Sequence, residues 1–171
     1  DAVVGTVMSN LGLEHALVER GMTLHRAAVG DRYVLELMQQ HDCVLGGEAS
    51  GHIICLDQTT TGDAIIAALQ VLEILVTRKQ DLADAVSTMK KYPQVLINVP
   101  LDVAFDLTTS SEIQAALKAA EHALAEQGRV LLRASGTEPL VRVMAEGVDL
   151  SLVQRTANEL ATQVASVCGS K

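Results

Sequence analysis

The sequence predicts two successive units. The first, over residues 1–92, is an α/β unit with a mostly parallel sheet and helices on both faces; the second, over residues 93–171, is an α+β unit with a small antiparallel sheet and helices on one face. Three observations carry this. Strand-like apolar runs alternate with helix-period segments through the first half. Lys90, Lys91 and Pro93 mark a stop between the halves. Beyond that stop, two strand-like runs lie next to each other between two helices. The bulk composition agrees: 171 residues with 49% hydrophobic and 20% charged side chains and only 3 Pro can bury a core. Such a chain is not a disordered or collagen-like polymer.

Taken in order, residues 2–7 are a β-rich run, and Ser9 or Asn10 can cap a helix reaching about Arg20. Leu13, Ala16 and Leu17 recur there at helical spacing, and Gly21 stands at the C′ position. Residues 23–29 read as a second strand, Gly30-Asp31 as a turn and cap, and residues 32–40 as a second helix bearing Val34, Leu35 and Met38. Residues 43–46 open a third strand, which breaks at a glycine-rich turn before the apolar run 52–56. A long helix follows over 60–77, with Asp63 in its first turn, where a negative charge suits the helix dipole. Repeats of this size imply a largely parallel sheet covered by helices. A short helix over 81–91 ends on Lys90-Lys91; then come a strand over 95–99, a helix over 111–127, strands over 130–133 and 140–146, and a helix over 150–167.

Several function classes fall away. Thirteen Lys plus Arg against twenty-one Asp plus Glu leave a net charge of −8, and aromatics are 2%. A nucleic-acid partner is therefore not expected, because there is neither a basic face nor a stacking platform. The longest apolar stretch, residues 64–76, is interrupted by Gln70 and Glu73. It is shorter than the roughly 20 residues that cross a bilayer, so no membrane partner is expected either. Cys43, Cys55 and Cys168 form no C-x-x-C pair, so neither a disulfide framework nor a zinc knuckle is expected, and they read as buried thiols of a soluble, cytoplasmic protein. The chain begins at Asp1 and runs straight into an apolar segment, which reads as an internal piece of something longer.

Three segments carry chemistry. In residues 133–139, Arg-Ala-Ser-Gly-Thr-Glu-Pro, main-chain N–H groups around a glycine, two hydroxyls and flanking guanidinium groups suit a phosphate. A hairpin centred on this loop would set Arg133 opposite Leu140 and Arg142 diagonally beside Arg133, with Val130, Leu132, Val141 and Val143 on the other face. An ordinary hairpin with solvated arginines is the competing reading. In residues 46–52, Gly-Gly-Glu-Ala-Ser-Gly-His, the alternating Glu48, Ser50 and His52 can project to one side and suit sugar hydroxyls. The segment also lies at the carboxyl end of a strand, where open α/β sheets bind ligands; a plain glycine turn competes. The third segment, Val29-Gly30-Asp31-Arg32-Tyr33, offers Asp31 and Arg32, which can equally be a helix cap and a solvated side chain. His15, His25, His41 and His122 show no partner spacing and are read as surface or packing residues.

Together, the segments 47–52 and 133–139, in this order and separated by a change of domain, resemble the α-D-phosphohexomutase superfamily. Residues 29–34, 59–63 and 140–144 look most like its phosphoglucosamine mutase branch. The resemblance implies that residues 1–92 are an N-terminally truncated third domain with the sugar-binding loop, and residues 93–171 a fourth domain with the phosphate-binding loop. It places Glu48, Ser50 and His52 on the sugar, with His52 as a proton-handling or orienting group. It places Arg133, Ser135, Gly136, Thr137 and Arg142 on the phosphate that is not being transferred. The family's phosphoserine and its Mg2+ ligands have no counterpart here, so they are expected in the first two domains, and this chain alone is expected not to turn over. The implied reaction interconverts glucosamine 6-phosphate and glucosamine 1-phosphate through glucosamine 1,6-bisphosphate, supplying UDP-N-acetylglucosamine and cell-wall synthesis. A phosphomannomutase or phosphoglucomutase, or a non-enzymatic phosphosugar-binding module, are the alternatives. A homodimer through an exposed sheet edge is a further expectation, and the joint near Pro93 is expected to act as a hinge.

Overall fold

A computed structural model describes residues 1–101, 106–135 and 138–168. Their contacts divide the chain into two units, Asp1–Lys91 and Tyr92–Lys171.

The first unit runs β1 (Ala2–Thr6), α1 (Leu11–Val18), β2 (Thr23–Ala27), α2 (Asp31–Gln40), β3 (Leu45–Gly47), β4 (Ile53–Cys55), α3 (Ala64–Arg78) and α4 (Leu82–Val86). Its sheet has the order β2-β1-β3-β4, with β1 parallel to both β2 and β3. β4 is antiparallel to β3, so the glycine-rich segment is the turn of a short hairpin and the sheet is mixed at that edge. Val4, Val34, Met38 and Ile54 make the core under α2. Gly46 is what lets α2 come so near, since a methyl group there would collide with Met38 Sδ and Val34 Cγ1. On the other face, Leu13 of α1 and Ala67, Val71 and Ile74 of α3 border a cavity of about 470 Å³ with Val3 and Ile53. Helices thus lie on both faces, but α3 buries no residue fully, and Ile65, Leu69, Leu72 and Val76 form an exposed apolar stripe.

Local chemistry explains where the helices depart from expectation. Asn10 caps α1 through Gly12 N. α3 starts four residues later than its apolar pattern suggests, because Asp63 is its N-cap and accepts from the N–H groups of Ile65 and Ile66 at 2.8 and 2.9 Å. α4 ends at Val86, well before Lys90-Lys91. Ser87 Oγ and Thr88 Oγ1 donate back to the carbonyls of Asp84 and Ala85, taking over the final acceptors. Gly30, not Asp31, is the N-cap of α2.

The second unit runs β5 (Gln94–Pro100), α5 (Ser111–Leu124), β6 (Gly128–Ala134), β7 (Leu140–Gly147) and α6 (Leu150–Cys168). All pairs are antiparallel, in the order β5-β7-β6, so the strand nearest the unit's start closes the sheet on the far side of β7. Val141, Val143 and Val99 join Ile113 of α5 and Leu160, Ala161 and Val164 of α6 in the core. α6 buries Val153, Ala157, Leu160, Ala161, Val164 and Cys168 at helical spacing, one continuous apolar stripe against the sheet.

Candidate functional site

The first candidate subsite is the β3–β4 turn. Glu48 N donates to the His52 carbonyl and Gly51 N to the Glu48 carbonyl, both at 3.0 Å, so the turn brings residues 48, 50 and 52 together. Ser50 Oγ donates to Glu48 Oε1 at 2.7 Å and lies 3.0 Å from His52 Nδ1. The hydroxyl has a single proton, and a carboxylate can only accept it; Ser50 Oγ must therefore accept from His52 Nδ1–H. His52 Nδ1 is therefore the protonated nitrogen that faces Ser50. His52 is 55% exposed at the side chain while Glu48 is 11%, so the acid is the set member and the imidazole faces outward. The second oxygen of Glu48 accepts from Gly30 N, at 3.2 Å.

The second candidate subsite lies at the β6–β7 turn. The pairing differs from the sequence expectation by two residues: Arg133 stands directly opposite Arg142, and Ala134 opposite Val141. Ser135 N extends the ladder by donating to the Leu140 carbonyl at 2.8 Å, which tightens the turn. Two guanidinium groups therefore face each other across neighbouring strands, where like charges oppose folding. Arg133 Nε is buried and has no hydrogen-bond partner among the described residues. Burial, and after it the charge of Arg142, lowers the Arg133 pKa below its ordinary value. Arg142 reaches Glu138 Oε2 at 3.3 Å, and Glu138 N donates to Ser135 Oγ, also at 3.3 Å. Gly136 and Thr137, the other two phosphate-loop expectations, lie outside the described residues. A site with two converging cations, one with an unmet buried donor, is suited to a doubly charged anion such as a phosphate monoester.

Asp31 and Arg32 make their side-chain contacts within their own segment. Asp31 is exposed and accepts from Arg32 N at 2.7 Å. Arg32 pairs with Glu36 at 2.8 Å along the outside of α2, and its hydrogen bond with that carboxylate raises the guanidinium pKa. The feature of this segment that does reach the Glu48 loop is the main-chain N–H of Gly30, which no side-chain pattern could flag. His25 and His41, read as unpartnered, stack with ring centroids 3.8 Å apart. Among the described residues no group of three or more His, Cys, Asp or Glu could hold a metal ion. Among them, too, no helix is long and apolar enough to cross a membrane.

Comparison with known proteins matches residues 1–92 to "Phosphoglucomutase/phosphomannomutase, alpha/beta/alpha domain III" and residues 96–163 to the C-terminal domain of the same family. A phosphoglucosamine mutase of Thioalkalivibrio sulfidiphilus is 55% identical over 168 residues, 96% of this chain and 37% of that protein. One of Methylobacillus flagellatus is 57% identical over 162 residues, 95% of this chain and 36% of that protein. The chain thus spans a little over a third of the length of the relatives it matches. Among solved structures, Aspergillus fumigatus N-acetylphosphoglucosamine mutase in complex with GlcNAc-6P and magnesium superposes with a TM-score of 0.81 at 21% identity, covering 98% of this chain and 39% of that one. A serine-to-alanine variant of that fungal mutase, in complex with glucose 1,6-bisphosphate, gives 0.80 at 22%, covering 99% and 39%. At these identities the structural likeness concerns the fold.

Proposed function

The chain belongs to the phosphoglucomutase/phosphomannomutase family, and from that premise we propose that it supplies the substrate-holding part of a phosphoglucosamine mutase. The enzyme would interconvert glucosamine 6-phosphate and glucosamine 1-phosphate through glucosamine 1,6-bisphosphate. Relatives more than half identical along nearly the whole chain carry that activity in their names, which favours the amino-sugar branch over mannose or glucose phosphates.

In this reading Glu48 and Ser50 meet sugar hydroxyls, and His52 Nε2 accepts or returns a proton at the hydroxyl that gains or loses the phosphoryl group. Arg133 and Arg142 grip the phosphate that stays in place, aided by Ser135, Gly136 and Thr137. Holding one end of a bisphosphate while the other reacts supplies positioning, the largest contribution a protein makes to phosphoryl transfer. The phosphoryl carrier and the Mg2+ ligands would be contributed by the other domains of the longer enzyme, where the metal would neutralise charge on the transferring group. Three free, buried cysteines suit a reducing, cytoplasmic setting.

The observation that carries the reading is the buried Nε of Arg133, without a partner among the described residues and opposite Arg142. An NMR titration tests it. Glucosamine 6-phosphate should shift the amides of Ser135 and Glu138 together with those of residues 48–52, and Arg133→Met should remove the first set. Millimolar ligand that leaves both sets unmoved would sink the proposal. A response to mannose 6-phosphate equal to that to the amino sugar would move the assignment to another branch of the family.

A further inference from the structure

We propose that the main-chain N–H of Gly30 is a positioning group of the sugar site. It holds the Glu48 carboxylate, and through Ser50 the His52 imidazole, in the orientation that meets the substrate. The inference rests on the reading of residues 48–52 as the sugar loop.

Four observations converge on it. The Gly30 N–H reaches Glu48 Oε2 at 3.2 Å across eighteen residues of chain, while Ser50 takes Oε1, so each carboxylate oxygen has its own donor. With both oxygens held, the carboxylate plane cannot turn, and the Ser50 hydroxyl has one acceptor to choose. The adjacent carboxylate of Asp31 takes Arg32 N and leaves the Gly30 N–H to Glu48. Third, the donor itself is set: α2 is seated on β3 through Val34 and Met38 over Gly46, two residues before Glu48, so helix and loop cannot drift apart without opening the core. Finally, Gly30 has φ 129° and ψ 134°, a conformation that L side chains rarely adopt, and a Cβ there would stand 3.3 Å from Tyr33 Cδ2. Any other residue at position 30 would leave this region and swing the N–H away from Glu48.

The test is NMR on the 171-residue chain. In the wild type, the Gly30 amide proton should move with the ionisation of the Glu48 carboxyl group, a response lost in Glu48→Gln and kept in Asp31→Asn. His52 is followed separately by its ring nitrogens; these should report the Nδ1–H tautomer in the wild type and the mixture of free imidazole in Gly30→Ala. Glucosamine 6-phosphate should bind residues 48–52 of Gly30→Ala about five- to tenfold more weakly, as expected for one charge-assisted hydrogen bond lost at second hand. Inorganic phosphate should shift Ser135 equally in both. A Gly30 amide that ignores Glu48 in the wild type overturns the proposal without recourse to a variant. A sugar response and ring spectrum unchanged in Gly30→Ala overturn it too, leaving the sugar reading intact. If the wild-type amides of 48–52 ignore the sugar phosphate, the sugar reading falls and the positioning role falls with it.

Discussion

Arg129 and Arg133 stand four residues apart on the same face of β6 and meet opposite neighbours on β7. Arg129 faces Glu146, and Arg133 faces Arg142. The first pair is closed: Arg129 Nε bonds Glu146 Oε1, the acid is completely buried, and Gln94 Nε2 on β5 donates to its other oxygen at 3.1 Å. The second pair is different: two cations face each other, Arg142 pairs with Glu138 at the turn, and the buried Nε of Arg133 lacks a partner among the described residues. The same side chain on the same ladder thus ties three strands together at one end and stands opposite a second cation at the other. A register that gives an arginine an acid makes it structural. On the proposed reading, one that gives it a second arginine keeps the pair available for an anion.

That contrast can be broken at either end. The largest effect is expected from Glu146→Ala, which removes the buried carboxylate that Arg129 and Gln94 share. It should lower the stability of the second unit by about 3 kcal/mol, at the low end for a broken buried pair because Arg129 is 22% exposed at the side chain. Urea unfolding reads this, and a loss below about 1 kcal/mol would mean that Arg129 simply turns to solvent. Arg133→Met should do the reverse: phosphate affinity falls by roughly 1.5–3 kcal/mol, the worth of a charge-assisted contact, while the urea midpoint holds or rises. A variant that binds phosphate normally but unfolds more easily would make Arg133 structural, like Arg129. The smallest change is expected from Arg142→Gln, which should raise stability by roughly 0.2–1 kcal/mol as the cross-strand repulsion is relieved. Its phosphate binding should also depend less on salt than that of the wild type, since fewer charges are screened.

The parts of the molecule legible in the sequence are those where a side chain answers to its immediate neighbours. The stripe of α6 from Val153 to Cys168 is visible because helical spacing and burial coincide. The alternation of Val141 and Val143 against Val130 and Leu132 likewise places the core face of the second sheet. Along α3, by contrast, the apolar residues Leu69 and Leu72 remain exposed. Glu48, Ser50 and His52 are readable as a group because a turn of that length leaves alternate residues on one side, and they do lie within hydrogen-bonding reach. Asp31 and Arg32 stand out in the sequence for their charges, whereas the segment touches the loop through a glycine that has no side chain to notice.

Propensity, period and charge act over a few neighbouring positions. They are enough to set the alternation of strands and helices, the two apolar faces of the second sheet, and the residue types available for a sugar and a phosphate. They do not reach far enough to make Arg133 face Arg142 rather than Leu140, to turn β4 antiparallel to β3, or to bring the N–H of Gly30 to the carboxylate of Glu48. Each of these depends on which distant backbone groups are left to pair once the cores under α2 and α6 have closed. Those pairings follow from packing rather than from any local run of residues.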